Sequence, residues 1–237
     1  MPSGIHYLNL RTESPARRAA LAGKFFEQIY RGAFPKSDQA EGPDTWLPLL
    51  DDLVPTGQPR IYVVLACDAA DRMLGGIIFE EYRTSGCWLV TYLVVRPDAR
   101  RRGVASGLMM EVMRTIEESQ TRDCSVLAET ENPARIADAA DRAEAVERLR
   151  ILDKLGMRHL PIEYVQPALG PDKHALEDLL LLCFVPGEVP GRIPAKRIAA
   201  FLNEFYAALG QVNSPYLARI APVLSKQDFL PTMRLVS

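Results

Sequence analysis

"VVRPDARRRGVASGLMMEVM", residues 94–113, decides how this chain is read. An apolar run ends at Pro97, arginines fill 100–102, and Gly103 opens a helical pattern. Val104, Leu108, Val112 and Ile116 fall on one line of that helix, with Ala105, Met109 and Met113 beside it. Adjacent like charges repel, so gathering them before a helix N-terminus points to a bound anion that compensates them. The first N–H groups of a helix have no intrahelical partners, and that end carries a partial positive charge. A glycine there lets a ligand approach the backbone, so the turn can cradle a phosphate or pyrophosphate. Without Gly103 and the helix, the same arginines would read as a solvated charged turn.

The rest of the chain narrows the anion's class. Its net charge is −2 over 237 residues, with 48% hydrophobic and 24% charged residues, ordinary for a globular protein. A pI near 6.0 argues against a general nucleic-acid binder, so any anion preference is local to Arg96–Arg102. No GKS or GKT follows the turn and no GxGxxG occurs, which sets aside P-loop and dinucleotide folds. No apolar run has membrane-spanning length, and the N-terminal residues do not form a signal peptide, so a cytoplasmic protein is expected. Cys67, Cys87, Cys124 and Cys183 are widely spaced within apolar runs and read as reduced, buried thiols. None has a basic neighbour to mark it as a nucleophile. His6, His159 and His174 lack metal-ligand spacing, so no metal is expected.

Outward from the turn, residues 60–67, 73–83 and 87–96 are rich in β-branched and aromatic residues and predict an antiparallel meander. A short strand over 5–10 and a helix starting at Pro15, capped by Ser14, precede it. Residues 35–59, with five prolines and two glycines, predict a loop holding a short helix near Trp46. After the helix from Val104 come a strand over 123–130, parallel to 87–96, and a helix over 143–156 stopped by Gly156. Strands over 157–165 and 176–184 close the unit. "VPGEVPGRIP" reads as a linker, and the helix after it carries Ile198, Leu202, Phe205 and Leu209 on one stripe. Phe201, Phe205 and Tyr206 are expected to pack onto the main domain or across a homodimer interface.

Arg100, Gly103 and Ala105 fill the Q/R-x-x-G-x-G/A pattern, so the turn resembles motif A of the GCN5-related N-acetyltransferase (GNAT) family. The order of elements over about residues 5–185 matches that family, and "ILDKLGM" (151–157) resembles its "LYEKLGF". The resemblance implies a mixed, mostly antiparallel twisted α/β sheet with helices on both faces as domain 1–186. Residues 187–237 are a helical C-terminal extension. It also implies acetyl-CoA or another acyl-CoA as cosubstrate, with direct transfer to an amine in a ternary complex. Backbone groups of Arg100, Arg101, Arg102, Gly103, Val104, Ala105 and Ser106 would hold the pyrophosphate. Leu93, Val94 and Val95 would meet the pantetheine arm, and Asn132 would lie near it.

Two positions depart from the family. Leu152 stands where many members have a tyrosine acid, and Leu89 where some have a glutamate. A base must still take the amine's proton, and an acid can serve the leaving thiolate. Glu80, Glu81 and Glu129 are candidates for base or substrate anchor, Tyr92 and Tyr164 for acid; adjacent Glu80 and Glu81 face opposite sides of a strand, so at least one of them is expected to be solvent-exposed. Of these, Glu81, Glu129 and Tyr164 are the catalytic choices. The rival reading is a catalytically silent acyl-CoA-binding module acting through a partner. The alanine-rich insertion "ARIADAADRAEA" is expected to lengthen a helix or add a turn that shapes acceptor choice.

Overall fold

The computed structural model describes residues 4–34, 40–50, 55–120, 123–185 and 191–236. Strand β1 (Ile5–Asn9) leads to α1 (Pro15–Phe25), which continues through a π-helical turn into α2 (Arg31–Ala33). Then come α3 (Pro43–Trp46), β2 (Arg60–Asp68), β3 (Met73–Tyr82), β4 (Cys87–Val95) and α4 (Val104–Glu118). β5 (Ser125–Glu131), α5 (Ala139–Lys154), β6 (Met157–His159) and β7 (Leu179–Phe184) follow. The last elements are β8 (Arg192–Pro194), α6 (Ala195–Ala208), α7 (Pro215–Ser225) and β9 (Phe229–Pro231). Seven strands form one sheet in the order β1-β2-β3-β4-β5-β7-β6, and β8 pairs with β9 apart from it. The pairs β1–β2, β2–β3, β5–β7 and β6–β7 are antiparallel. This is the mixed, mostly antiparallel α/β sheet with C-terminal helices that the sequence predicts.

The chain divides into two compact units, Met1–Glu81 with Val90–Asp123 and Tyr82–Leu89 with Cys124–Ser237. In the first, Phe25, Ile29 and Tyr30 pack with Trp46, Ile61, Val63, Leu65 and Ile78. Every residue of β3 is buried. That overturns the expectation that one of Glu80 and Glu81 is solvent-exposed: they are 7% and 8% exposed. Strand alternation exposes a side chain only where one face of the sheet is bare. Ser14 occupies the cap position of α1 but makes no side-chain cap bond. Instead the buried Arg18 ties the preceding turn down, donating to the carbonyls of Leu10 at 3.0 Å and Arg11 at 3.2 Å. On α4, Val104, Leu108, Val112 and Ile116 are buried as predicted, while Met110 is exposed and belongs to no core.

The second unit is built around Leu127, Leu181 and Cys183 with Leu160, Tyr164, Phe201, Leu202, Phe205, Tyr206, Tyr216 and Leu217. Each large apolar side chain so buried contributes about 1.5–3 kcal/mol. Phe201, Phe205 and Tyr206 therefore pack inside this unit. The insertion lengthens α5 at its start, where the Asp138 carboxylate accepts from the N–H groups of Ala140 and Asp141. Gly156 ends the turn after α5 with φ +92°, the left-handed backbone its position requires. The predicted strand over 157–165 stops at His159, because Pro161 cannot donate to a ladder, and only the bridge Gln166–Leu176 prolongs the hairpin. Of the predicted linker, residues 186–190 lie outside the described residues, and Arg192–Pro194 is strand β8 rather than linker.

Candidate functional site

Gly103 is the N-cap of α4, with φ +79° and ψ 5° and no side-chain capping bond. Arg101 also has a left-handed backbone, at φ +60°. A non-glycine residue in that region is uncommon and marks a turn held by its surroundings. Here Ala99 is fully buried and its N–H donates to the Arg96 carbonyl at 2.9 Å, pinning the turn's start. Among the described residues no acceptor takes the N–H groups of residues 101–106. Arg101, Arg102, Gly103 and Ser106 are exposed, Ala105 is half-buried and Val104 is core. The result is a run of open donors at a helix N-terminus, the arrangement an oxyanion needs.

The arginines are not equivalent. Arg96 is spent on Asp98, with contacts of 3.1 and 3.3 Å, and Asp98 also accepts from Arg72 at 2.8 Å. Arg96 is the first cause holding the Asp98 carboxyl below its usual range. Arg100 leans back to the Val95 carbonyl at 3.5 Å. Arg102 is near enough to help stabilise the Asp68 carboxylate, behind that group's own backbone hydrogen bonds. Arg101 projects with no ion-pair partner among the described residues. In β4, Val94 is buried while Leu93 and Val95 are half-buried.

The three catalytic choices separate. Glu81 sits directly across from Arg60 in the β2–β3 register; its carboxylate is 3.5 Å from the Arg60 guanidinium and accepts from the Tyr62 hydroxyl at 3.4 Å. That is a cross-strand ion pair. Glu80 is buried on the same strand. Tyr92 is locked among rings, 4.9 Å from Tyr30 and 5.1 Å from Phe34 between centroids, and burial pushes its hydroxyl pKa well up.

Glu129 and Tyr164 come together. The Tyr164 hydroxyl donates to Oε1 of Glu129, and Nε2 of Gln166 donates to Oε2 at 2.8 Å. Glu129 is half-buried on β5, whereas Tyr164 is 3% and Gln166 6% exposed. Burial, then the Glu129 charge, raises the Tyr164 pKa well above that of a free phenol, so the phenol keeps its proton. That proton is donated to the Glu129 carboxylate in the hydrogen bond. Gln166 was not anticipated from the sequence. Its signal is the spacing Tyr164-x-Gln166, which puts both side chains on one side of an extended segment.

Residues 24–139 match the family model described as the acetyltransferase (GNAT) family. The GNAT match is to that stretch of the chain. Among solved structures, a GNAT-family protein from Bacteroides thetaiotaomicron superposes with a TM-score of 0.54 at 13% identity, covering 87% of this chain and 98% of that one. A GNAT acetyltransferase from Elizabethkingia anophelis with acetyl-CoA bound gives 0.47 at 12%, covering 77% and 98%. The ribosomal-protein-S18-alanine N-acetyltransferase of Escherichia coli gives 0.44 at 15%, covering 78% and 97%. At such identities the likeness is one of fold. No curated protein matches the sequence.

The two departures from the family pattern have physical consequences. Leu89 is wholly buried in the apolar core of its unit, so no proton can be handled there. Leu152 is half-buried and equally inert. Asn132 uses its side-chain oxygen to accept from the Ala134 N–H at 3.0 Å, so it caps the short 3-10 turn after β5. Glu131, on the same strand as Glu129, is paired with Arg148 at 2.8 Å. Among the described residues no group of three or more His, Cys, Asp or Glu side chains could hold a metal. No helix among them is long and apolar enough to cross a membrane.

Proposed function

We propose that the protein is an acyl-CoA-dependent N-acyltransferase that moves an acetyl group from acetyl-CoA to an amine by direct transfer. One observation carries this reading: open N–H groups follow a left-handed Gly103 at the start of α4, inside a GNAT-family domain. The residues present fit the cosubstrate. A pyrophosphate would take the N–H groups of residues 101–105, and the exposed Arg101 would add charge outside them. A side-chain cap in place of Gly103 would fill that cradle.

In the reaction the amine's lone pair forms the C–N bond at the thioester carbonyl, the C–S bond breaks, and coenzyme A leaves as a thiolate; the nitrogen then sheds a second proton, which neutralises the thiolate. The amine arrives as an ammonium and must lose a proton first. Glu129 is the group we assign to that step, directly or through water, because two side-chain donors fix its carboxylate and part of it meets solvent. Cys87 and Cys183 do not take the acyl group: burial drives both thiols up to about 12, so neither is a thiolate at neutral pH.

Thiol release from acetyl-CoA, measured with and without a panel of primary amines, tests the reading. Amine-dependent release with an acetylated product supports it. Binding of acetyl-CoA with no transfer to any amine would leave the silent binding module, which the apolar Leu89 and Leu152 favour.

A further inference from the structure

The loop that carries Tyr164 and Gln166 has little structure of its own. Past Leu160 it makes a single bridge, Gln166–Leu176, before β7. Three of its backbone carbonyls are held by the two C-terminal helices and the turn between them. The Tyr206 hydroxyl on α6 donates to the Val165 carbonyl at 2.8 Å, and the Tyr216 hydroxyl on α7 to the Glu163 carbonyl at 2.9 Å. Gln211, in the turn between the helices, donates to the Ala168 carbonyl at 2.7 Å. The two tyrosine bonds fix the carbonyls on either side of Tyr164, and the Gln211 bond fixes that of Ala168, two residues past Gln166. The two tyrosine rings stack at 5.6 Å and are 1% and 5% exposed, so the hydroxyls have no freedom to turn away. The helices are anchored independently: Glu204 on α6 accepts from the N–H groups of Thr84 and Ser85 at 3.0 and 2.8 Å.

We infer that the C-terminal helices form a positioning device for the Glu129 carboxylate, acting through Tyr206, Gln211 and Tyr216 on the backbone of 163–168. The catalytic meaning rests on the proposed role of Glu129; the positioning itself does not. A carboxylate stays charged more easily when donors point at it, and donors on a loop point accurately only when the loop is held. A packing role alone would need the rings but not the hydroxyls, and would need nothing from Gln211, which is half-exposed. The titratable groups around the site are Tyr164 and Tyr206, which both feel the Glu129 charge, and Tyr216, which acts on Tyr164. The Glu163–Arg219 pair, at 2.9 Å, lies at the solvent side.

The test is a pH titration of the full-length protein carrying isotope-labelled glutamate, followed by NMR at the side-chain carboxyl carbon. The Glu129 signal is the one absent from Glu129→Gln. In Tyr216→Phe and in Gln211→Ala its midpoint is expected to rise by about one pH unit, as the Tyr164 and Gln166 donors loosen. An unmoved midpoint in both folded variants overturns the inference. Gln211→Ala keeps the test decisive if the buried Tyr216→Phe does not fold. Activity of Glu129→Gln is a separate arm: full amine acetylation there removes the proposed role of Glu129 and leaves the titration result standing.

Discussion

The Tyr7 hydroxyl lies over the α-carbon of Gly107; a β-carbon added there would come within 1.7 Å of the hydroxyl oxygen. The hydroxyl is buried without a partner, and desolvation, followed by the nearby Glu111 charge, raises its pKa. Helix α4 thus meets β1 only because residue 107 has no side chain. Alanine is the better helix former by about 1 kcal/mol, whereas overpacking costs about 1–3 kcal/mol. Gly107→Ala is therefore expected to lower the denaturation midpoint in the wild type and to raise it in Tyr7→Ala. A chemical-denaturation cycle over the four proteins checks the sign reversal.

Gly75 gives a harsher case. A β-carbon on it would sit 2.5 Å from the Val94 carbonyl oxygen and 3.1 Å from the Val95 α-carbon, both backbone atoms of β4. Neither can swing aside as a side chain can. Gly75→Ala should cost at least ~2 kcal/mol and displace the strand that leads into the arginine turn. Circular dichroism melts give the stability, and acetyl-CoA affinity reports the strand.

A buried carboxylate supplies a pH signature. Asp153 is 5% exposed and pairs with Arg158 at 3.3 Å and Arg234 at 2.7 Å, while the Leu235 N–H donates to it at 3.1 Å. Burial alone would raise its pKa; the Arg234, Leu235 and Arg158 contacts outweigh that and lower it. A lowered folded pKa means stability that is present above the unfolded value near 3.9 and lost as pH falls through the folded one. Asp153→Asn should then destabilise by about 3 kcal/mol at pH 7, with the deficit shrinking below about pH 4. Urea melts of both proteins from pH 7 to pH 3 check the convergence.

Much of this was legible in the sequence, for reasons that can be named. The turn was readable because the arginines, Gly103 and a helical stripe follow one another over residues 100–116, and each has its own physical meaning. The meander was readable because its strands are long and β-branched. Strands β8 and β9 were not: three residues show no alternation, and their pairing joins 192–194 to 229–231. The exposure of Glu80 and Glu81 was misjudged because alternation says nothing when both faces of a strand are covered. Glu129 and Tyr164 were separate guesses from sequence. Their hydrogen bond depends on a loop shaped by Tyr206 and Tyr216, forty to fifty residues away, which no local pattern encodes.

The arginines should differ in function as they do in contacts. Arg101→Ala should weaken acetyl-CoA binding about threefold or more at low ionic strength, with the difference fading toward 0.5 M salt as exposed charges are screened. Arg96→Ala should do less, since Asp98 already occupies its guanidinium. Affinities measured across a salt series distinguish the two.

Whether the turn at Gly103 holds the cosubstrate is decided by calorimetric titration of acetyl-CoA into the wild type and into Gly103→Pro. Proline cannot adopt φ +79° and has no N–H, so the substitution removes one donor and distorts its neighbours at an exposed position outside the core. Saturable binding by the wild type is expected, with its loss in a variant that keeps the wild-type circular dichroism spectrum. Equal binding by both proteins, or no binding by the wild type at millimolar acetyl-CoA, would contradict it.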